Sequence, residues 1–114
     1  MTDRIPALSV DEARARLDGD GAVVLDVREP EEWNAGHVEG AASIPMGELS
    51  ARQGDIPEGA HLVVVCRSGG RSARAVQALV AAGYDASNLV GGLEAWVQAG
   101  NPLVTDTGSA GIVA

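Results

Sequence analysis

The chain has no lysine, a single cysteine and no long apolar run. Each absence excludes something. All 8 basic residues are arginine, against 16 acidic ones, and the formal net charge is −8. An acidic balance speaks against nucleic acid or an anionic membrane as partner, because both reward positive charge. One cysteine cannot form an internal disulfide, so nothing asks for an oxidising compartment. No stretch approaches the roughly 18 apolar residues of a membrane span. The start, Met1-Thr2-Asp3-Arg4-Ile5-Pro6, has no apolar run of signal-peptide length. A soluble cytoplasmic protein is the expectation.

What is present is ordinary globular composition, 46% hydrophobic and 21% charged over 114 residues. A chain of this size buries about two-thirds of its unfolded surface, enough for one core. One domain over 1–114 is expected, with its core at about 7–100 and a tail at 103–114. Residues that are small and polar from about Thr105, then weakly apolar, predict poor order there. Ser9 and Glu12 have capping-box spacing, and Val10, Ala13 and Leu17 recur at helical intervals before Gly19. Ala22-Val23-Val24-Leu25 and His61-Leu62-Val63-Val64-Val65-Cys66 read as strands buried on both faces. Pro30 suits a first helical position, with Glu29, Glu31 and Glu32 beside the positive helix start. Ala42-Ser43-Ile44 and Asn88-Leu89-Val90 suggest weaker strands. Short helices are expected through Leu49 and around Leu93, Trp96 and Val97. The spacing predicts a longer helix over 71–82, with Ala75, Val76, Leu79 and Val80 as its buried stripe and Gly83 as its stop. Strands alternating with helices predict a parallel sheet covered on both faces, with its functional site outside the strands' carboxyl ends.

Cys66 falls at such an end. Cys66-Arg67-Ser68-Gly69-Gly70-Arg71-Ser72 joins a buried strand to a helix. Adjacent glycines allow a tight turn that aims successive N–H groups at one point. A helix start and two arginines add positive potential, and all of these favour thiolate over thiol. Arg67, Arg71 and Arg74 make this a locally basic segment in an acidic protein. A cysteine after three valines is ordinarily an inert small hydrophobe. The Gly-Gly loop, flanking arginines and helix start reverse that reading.

The same loop resembles the active-site loop of rhodanese domains, Cys-Arg-x-Gly-x-(Arg/Thr)-Ser. Leu25-Asp26-Val27-Arg28-Glu29-Pro30-Glu31-Glu32-Trp33 and Gly36-His37-Val38-Glu39-Gly40-Ala41 are similar to a second family segment. Leu89-Val90-Gly91-Gly92-Leu93-Glu94-Ala95-Trp96 is similar to its closing motif. The resemblance covers roughly 7–100, with the motifs in matching order. It implies a rhodanese-like three-layer α/β/α fold with a five-stranded parallel sheet. It implies a sulfurtransferase whose Cys66 thiolate takes sulfur from a donor such as thiosulfate, then passes it from a persulfide to cyanide or a thiol. The loop N–H groups would stabilise the persulfide anion, and Arg67 and Arg71 would grip the anionic donor. Ser68, Gly69, Gly70 and Ser72 complete the substrate-binding loop. A protein sulfur acceptor is compatible; no metal or organic cofactor is needed.

The remaining candidates have blander readings. Asp26 and Arg28 suggest an internal ion pair, bracing the active loop. His37 suits a structural hydrogen bond better than a base for Cys66, and His61 is expected at the surface. Trp33 and Trp96 read as packing. Ser68 either contributes its hydroxyl or merely suits the turn. Three rivals remain. Phosphatase or arsenate reductase activity is disfavoured, because related phosphatases place five residues between cysteine and arginine; here Arg71 follows after four, and position six is Ser72. Val65 also stands where many cysteine phosphatases carry histidine. The mercaptopyruvate branch has Cys-Gly-(Ser/Thr)-Gly-Val-Thr, from which Arg67 and Arg71 depart. A binding or regulatory module would often lack the cysteine, though a persulfide relay to a partner enzyme fits.

Overall fold

A computed structural model describes residues 5–19 and 21–114. Met1-Thr2-Asp3-Arg4, read above for a leader, lies outside the described residues. The elements run β1 (Ala7–Leu8), α1 (Val10–Asp18), β2 (Ala22–Asp26), α2 (Pro30–Ala35), β3 (Ala42–Ser43), β4 (His61–Val65), α3 (Gly70–Ala81), β5 (Ala86–Leu89) and α4 (Gly92–Gln98). Two 3₁₀ turns, Met46–Glu48 and Gln53–Asp55, lie between β3 and β4. The sheet has five strands in the order β1-β5-β4-β2-β3, and every pairing is parallel.

Local chemistry explains the boundaries. Ser9 and Glu12 form the expected reciprocal box at the start of α1. Pro30 occupies the first turn of α2, where its missing N–H is no loss. β4 is central and buried at every position, so alternation sends its side chains to two cores. Leu62, Val64 and then Cys66 meet Ala75, Val76 and Leu79 of α3. Val63 and Val65 meet Ala13 of α1 and Leu93 and Trp96 of α4. These are the two helical layers that pattern and resemblance predicted.

The differences are informative. β1 was not anticipated: two residues carry no period, and Ala7–Leu8 is a strand only because β5 pairs with it. β5 ends at Leu89, one residue earlier than expected, and Val90 is exposed. The turn before Leu49 is 3₁₀ rather than α. Val80, assigned to the buried stripe of α3, is also exposed. The tail, expected to be poorly ordered, folds back on α2. His37 and Val104 exchange backbone hydrogen bonds of 2.9 and 2.8 Å, and the Ile112 N–H donates to the Ala35 carbonyl at 2.9 Å. Gly36 permits this approach, because a Cβ there would lie 2.6 Å from the Ile112 backbone. Leu103 is buried and Val113 packs against the α1/α4 core, so apolar residues anchor a segment expected to be poorly ordered.

From β2 the chain proceeds to β3 on one side, and from β4 to β5 on the other. The crevice at the carboxyl ends of β2 and β4 is therefore a topological switch point. Among the described residues, no helix is long and apolar enough to cross a membrane.

Candidate active site

The loop after β4 is shaped by the helix after β5. The Cys66 and Arg67 carbonyls accept hydrogen bonds from the Leu93 and Glu94 N–H groups, at 2.9 and 3.0 Å. In a trans peptide the next N–H points away from the carbonyl, so tying carbonyls to α4 turns the Arg67 and Ser68 N–H groups to the opposite side. Only glycine fits at two points. Gly69 has φ +106°, and Gly92, at φ +63°, sits so close that a Cβ would lie 2.5 Å from the Arg67 oxygen. Gly91-Gly92, quoted above only as part of a motif, is thus the platform under the loop.

The loop closes around sulfur. Cys66 is 1% exposed, and its Sγ accepts from the Gly69 N–H at 3.1 Å and the Ser72 N–H at 3.4 Å. The Ser72 hydroxyl stands 3.3 Å away. Burial pushes the thiol's pKa up and is the largest single influence. The Ser72 hydroxyl and the N–H groups of Ser72, Gly69 and Ser68 together outweigh it, so the thiol titrates below its ordinary value. Hydrogen bonding to the charged form leads here, ahead of the arginines.

Those arginines are engaged. Arg71 makes a bidentate pair with Glu32 of α2 at 2.7 and 2.9 Å, which holds the carboxyl down at about 2 and raises the guanidinium. The pair ties α2 to the start of α3 across the crevice, and Arg71 still feels the Cys66 charge. Arg67 is exposed and reaches Glu94 at 3.2 Å. Two of the three arginines in the basic segment read from the sequence are therefore paired from outside, by glutamates distant in the chain. Bidentate pairing uses two of the five guanidinium N–H groups, so Arg71 keeps donors for a ligand. Ser68 is exposed, and Gly70 begins α3.

Asp26 and Arg28 form the internal ion pair. Both are buried, with bonds of 2.8 to 3.2 Å between their side chains. Arg28 also donates to the Gly36 carbonyl at 2.7 Å. The pair's side-chain bonds thus brace the end of α2, and none goes to the Cys66–Ser72 loop, where support was expected. His37 is likewise structural: its Nδ1 lies 2.9 Å from the Trp33 carbonyl, and its ring stacks on Trp33 at 3.6 Å. Trp96 packs in the core as read. His61 overturns its surface assignment. It is buried at the amino end of β4, with Nε2 3.0 Å from Ser87 Oγ and Nδ1 2.8 Å from Asp85, though Nδ1 is not aligned for a hydrogen bond.

One residue at the site was missed. Asn88 of β5 lies beside the loop; its Oδ1 is 2.6 Å from Ser72 Oγ and its Nδ2 donates to the Gly69 carbonyl at 3.3 Å. A polar residue inside an otherwise buried strand was the available signal, since buried amides require partners.

The molecule is thus a parallel α/β protein with a lone cysteine cradled by N–H groups at its switch point. The sequence pattern of the rhodanese-like domain matches residues 9–99, and the chain belongs to that family. A sulfurtransferase from Allochromatium vinosum is 34% identical over 109 residues, covering 95% of this chain and 100% of that one. YrkF of Bacillus subtilis, whose name describes a sulfur carrier, is 33% identical over 81% of this chain and 51% of its own length. Among solved structures, thiosulfate sulfurtransferase from Pseudomonas aeruginosa superposes with a TM-score of 0.80 at 28% identity, over 96% of this chain and 22% of that one. The chain spans about half the length of the first curated relatives it matches. Family and relatives together support a sulfur-transfer role.

Proposed function

We propose that the chain moves a sulfane sulfur from thiosulfate or another persulfide donor to a thiol or cyanide acceptor, with Cys66 as nucleophile and carrier. The thiolate attacks the donor's outer sulfur. A new S–S bond forms at Cys66 as the donor's S–S bond breaks, and sulfite leaves with the electron pair of that bond. The acceptor then attacks the outer sulfur of the Cys66 persulfide and restores the thiolate, so no external oxidant or reductant is needed. Two displacements replace one difficult transfer. Loop N–H groups and the remaining donors of Arg71 would receive the anionic donor and the persulfide charge.

One observation carries this reading: the Gly69 N–H, the Ser72 N–H and the Ser72 hydroxyl converge on one sulfur. A relay to a protein acceptor is supported by the likeness to a protein named for sulfur carriage. The test is the intact mass after incubation with thiosulfate. One added sulfur atom, removed by a reductant and absent from Cys66→Ser, is expected; no addition sinks the proposal. Cys66-dependent hydrolysis of p-nitrophenyl phosphate would point to phosphatase chemistry instead.

A further inference from the structure

Around Cys66, the N–H groups have clear duties, but the Ser72–Asn88 contact does not. The Asn88 amide is fixed in orientation. Its nitrogen donates to the Gly69 carbonyl, and the reverse arrangement would set two oxygens against each other. Oδ1 therefore faces Ser72 Oγ at 2.6 Å as an acceptor. Ser72 Oγ also stands 3.3 Å from the cysteine sulfur. A serine hydroxyl has one proton.

We propose that Asn88 is a positioning residue for the Cys66 reaction, its Oδ1 competing with the sulfur for the single hydroxyl proton of Ser72. With a neutral thiol there is no conflict: S–H donates to Ser72 Oγ, and Ser72 donates to Asn88. Once the thiol loses its proton, the hydroxyl turns to the sulfur, and two bare oxygens face each other across the short contact. In the persulfide the charge resides on the outer sulfur, one bond further out, and the hydroxyl returns to Asn88. Asn88 thus disfavours the free thiolate relative to the states on either side of it, and biases the cysteine toward loading.

The persulfide step rests on the sulfurtransferase reading; the competition for the proton does not. The charged groups around the sulfur are the Arg71–Glu32 pair from α3 and α2, Glu29 before α2, and the Arg67–Glu94 pair from the loop and α4. The buried Asp26–Arg28 pair lies beyond them, toward the end of α2. Among the described residues, no charged side chain hydrogen-bonds to Ser72 or Asn88.

Because Cys66 is the only cysteine, its titration can be followed by thiolate ultraviolet absorbance, with Cys66→Ser subtracted as the blank. Asn88→Leu removes the competing acceptor. Its midpoint should fall by about half a pH unit or more, the scale of one hydrogen bond. The Gly69 carbonyl keeps its bond from the Ala73 N–H. A purely structural Asn88 would loosen the loop and move the midpoint upward. Asn88→Asp should raise the midpoint, and Ser72→Ala should silence the Asn88→Leu effect. A midpoint unchanged or raised in Asn88→Leu overturns the proposal, as does an equal fall in the Ser72→Ala background. Should Asn88→Leu not fold, Asn88→Asp decides. Its upward shift should shrink by about half when Ser72 is alanine, since the hydrogen-bonded part is then lost; an undiminished shift overturns the proposal. The titration needs no sulfur donor, so failure of thiosulfate loading and failure of this competition are separately visible.

Discussion

The two ends of the β4–β5 pair carry similar ingredients and opposite chemistry. At the amino end, Asp85, His61 and Ser87 stand in a row, with 2.8 Å and 3.0 Å between successive side chains. At the carboxyl end, Asn88, Ser72 and Cys66 do the same at 2.6 Å and 3.3 Å. By side chains alone, the first is the more suggestive, because a carboxylate, an imidazole and a hydroxyl are the parts of a hydrolase. Alternation separates the rows: Ser87 shares a face with Val63 toward α1 and α4, while Asn88 shares one with Val64 toward α3. The carboxyl end meets the start of α3 and the Gly69-Gly70 turn, which aims N–H groups at the sulfur. Ser87 is buried in a strand whose N–H groups belong to the sheet, so it has no place to stabilise charge. A row of polar side chains is not yet a site; convergent N–H groups on a reactive atom make one.

The sharpest way to break this contrast is substitution at both ends. Cys66→Ser should abolish sulfur loading, while Ser87→Ala should leave its rate within about twofold, as expected away from the chemistry. Loss of loading in a folded Ser87→Ala variant would erase the distinction. Next in size is the platform. Gly92→Ala puts a side chain at φ +63° and against the Arg67 oxygen. It should destabilise the fold by about 1–3 kcal/mol. It should also slow loading at least about tenfold, less than the roughly hundredfold or more that losing an anion donor outright costs. Thermal melts and stopped-time mass spectra would measure the two effects. An alanine there that leaves the loading rate intact would mean the α4 contacts do not shape the cradle.

The cradle also predicts a pH dependence. Its hydrogen bonds lower the folded thiol's pKa despite burial. The linked stability is therefore present above the unfolded thiol's pKa and lost as pH falls through the lower, folded one. Loading should plateau at high pH and fall about tenfold per unit once pH passes below the folded midpoint. Ser72→Ala should move that midpoint upward. A profile centred at or above the ordinary thiol range would show that burial had won.

How much of this was legible depends on how far each feature reaches along the chain. The Ser9–Glu12 box, the apolar run of β4 and the Gly69-Gly70 turn are local, so residue order revealed them. The sulfur-bearing loop was legible for the same reason, and the likeness of three motifs gave the sheet its five strands. What escaped was non-local. β1 exists through β5, and the Ser72–Asn88 contact spans 16 positions. His61 looked superficial at a strand's start because nothing in its neighbours announces Ser87, 26 positions on. Arg67 and Arg71 looked free because their glutamates lie 27 and 39 positions away. The tail's few apolar residues gave no sign of anchoring, because the burial of Leu103 and the packing of Val113 depend on α1 and α4.

Glu32 supplies the subtlest test, because it asks whether the carboxyl-end site is tuned for anions or shielded from them. Its pair with Arg71 spans the crevice beside a nearly inaccessible sulfur. A thiosulfate dianion and the Glu32 carboxylate would therefore want the same guanidinium. The carboxyl is held down to about 2, so the pair outlasts mild acid and only substitution opens it. Glu32→Gln keeps the shape and removes the charge. A partly exposed ion pair is worth about 1 kcal/mol, so loading by dilute thiosulfate should rise roughly fivefold. The gain should shrink as salt screens the freed arginine. Transfer from the loaded enzyme to a neutral thiol should change less. A rise would identify Glu32 as a competitor that an anionic donor must displace. A fall would instead make Glu32 the brace that holds Arg71 in place, and the grip on thiosulfate would then have to come from the loop N–H groups.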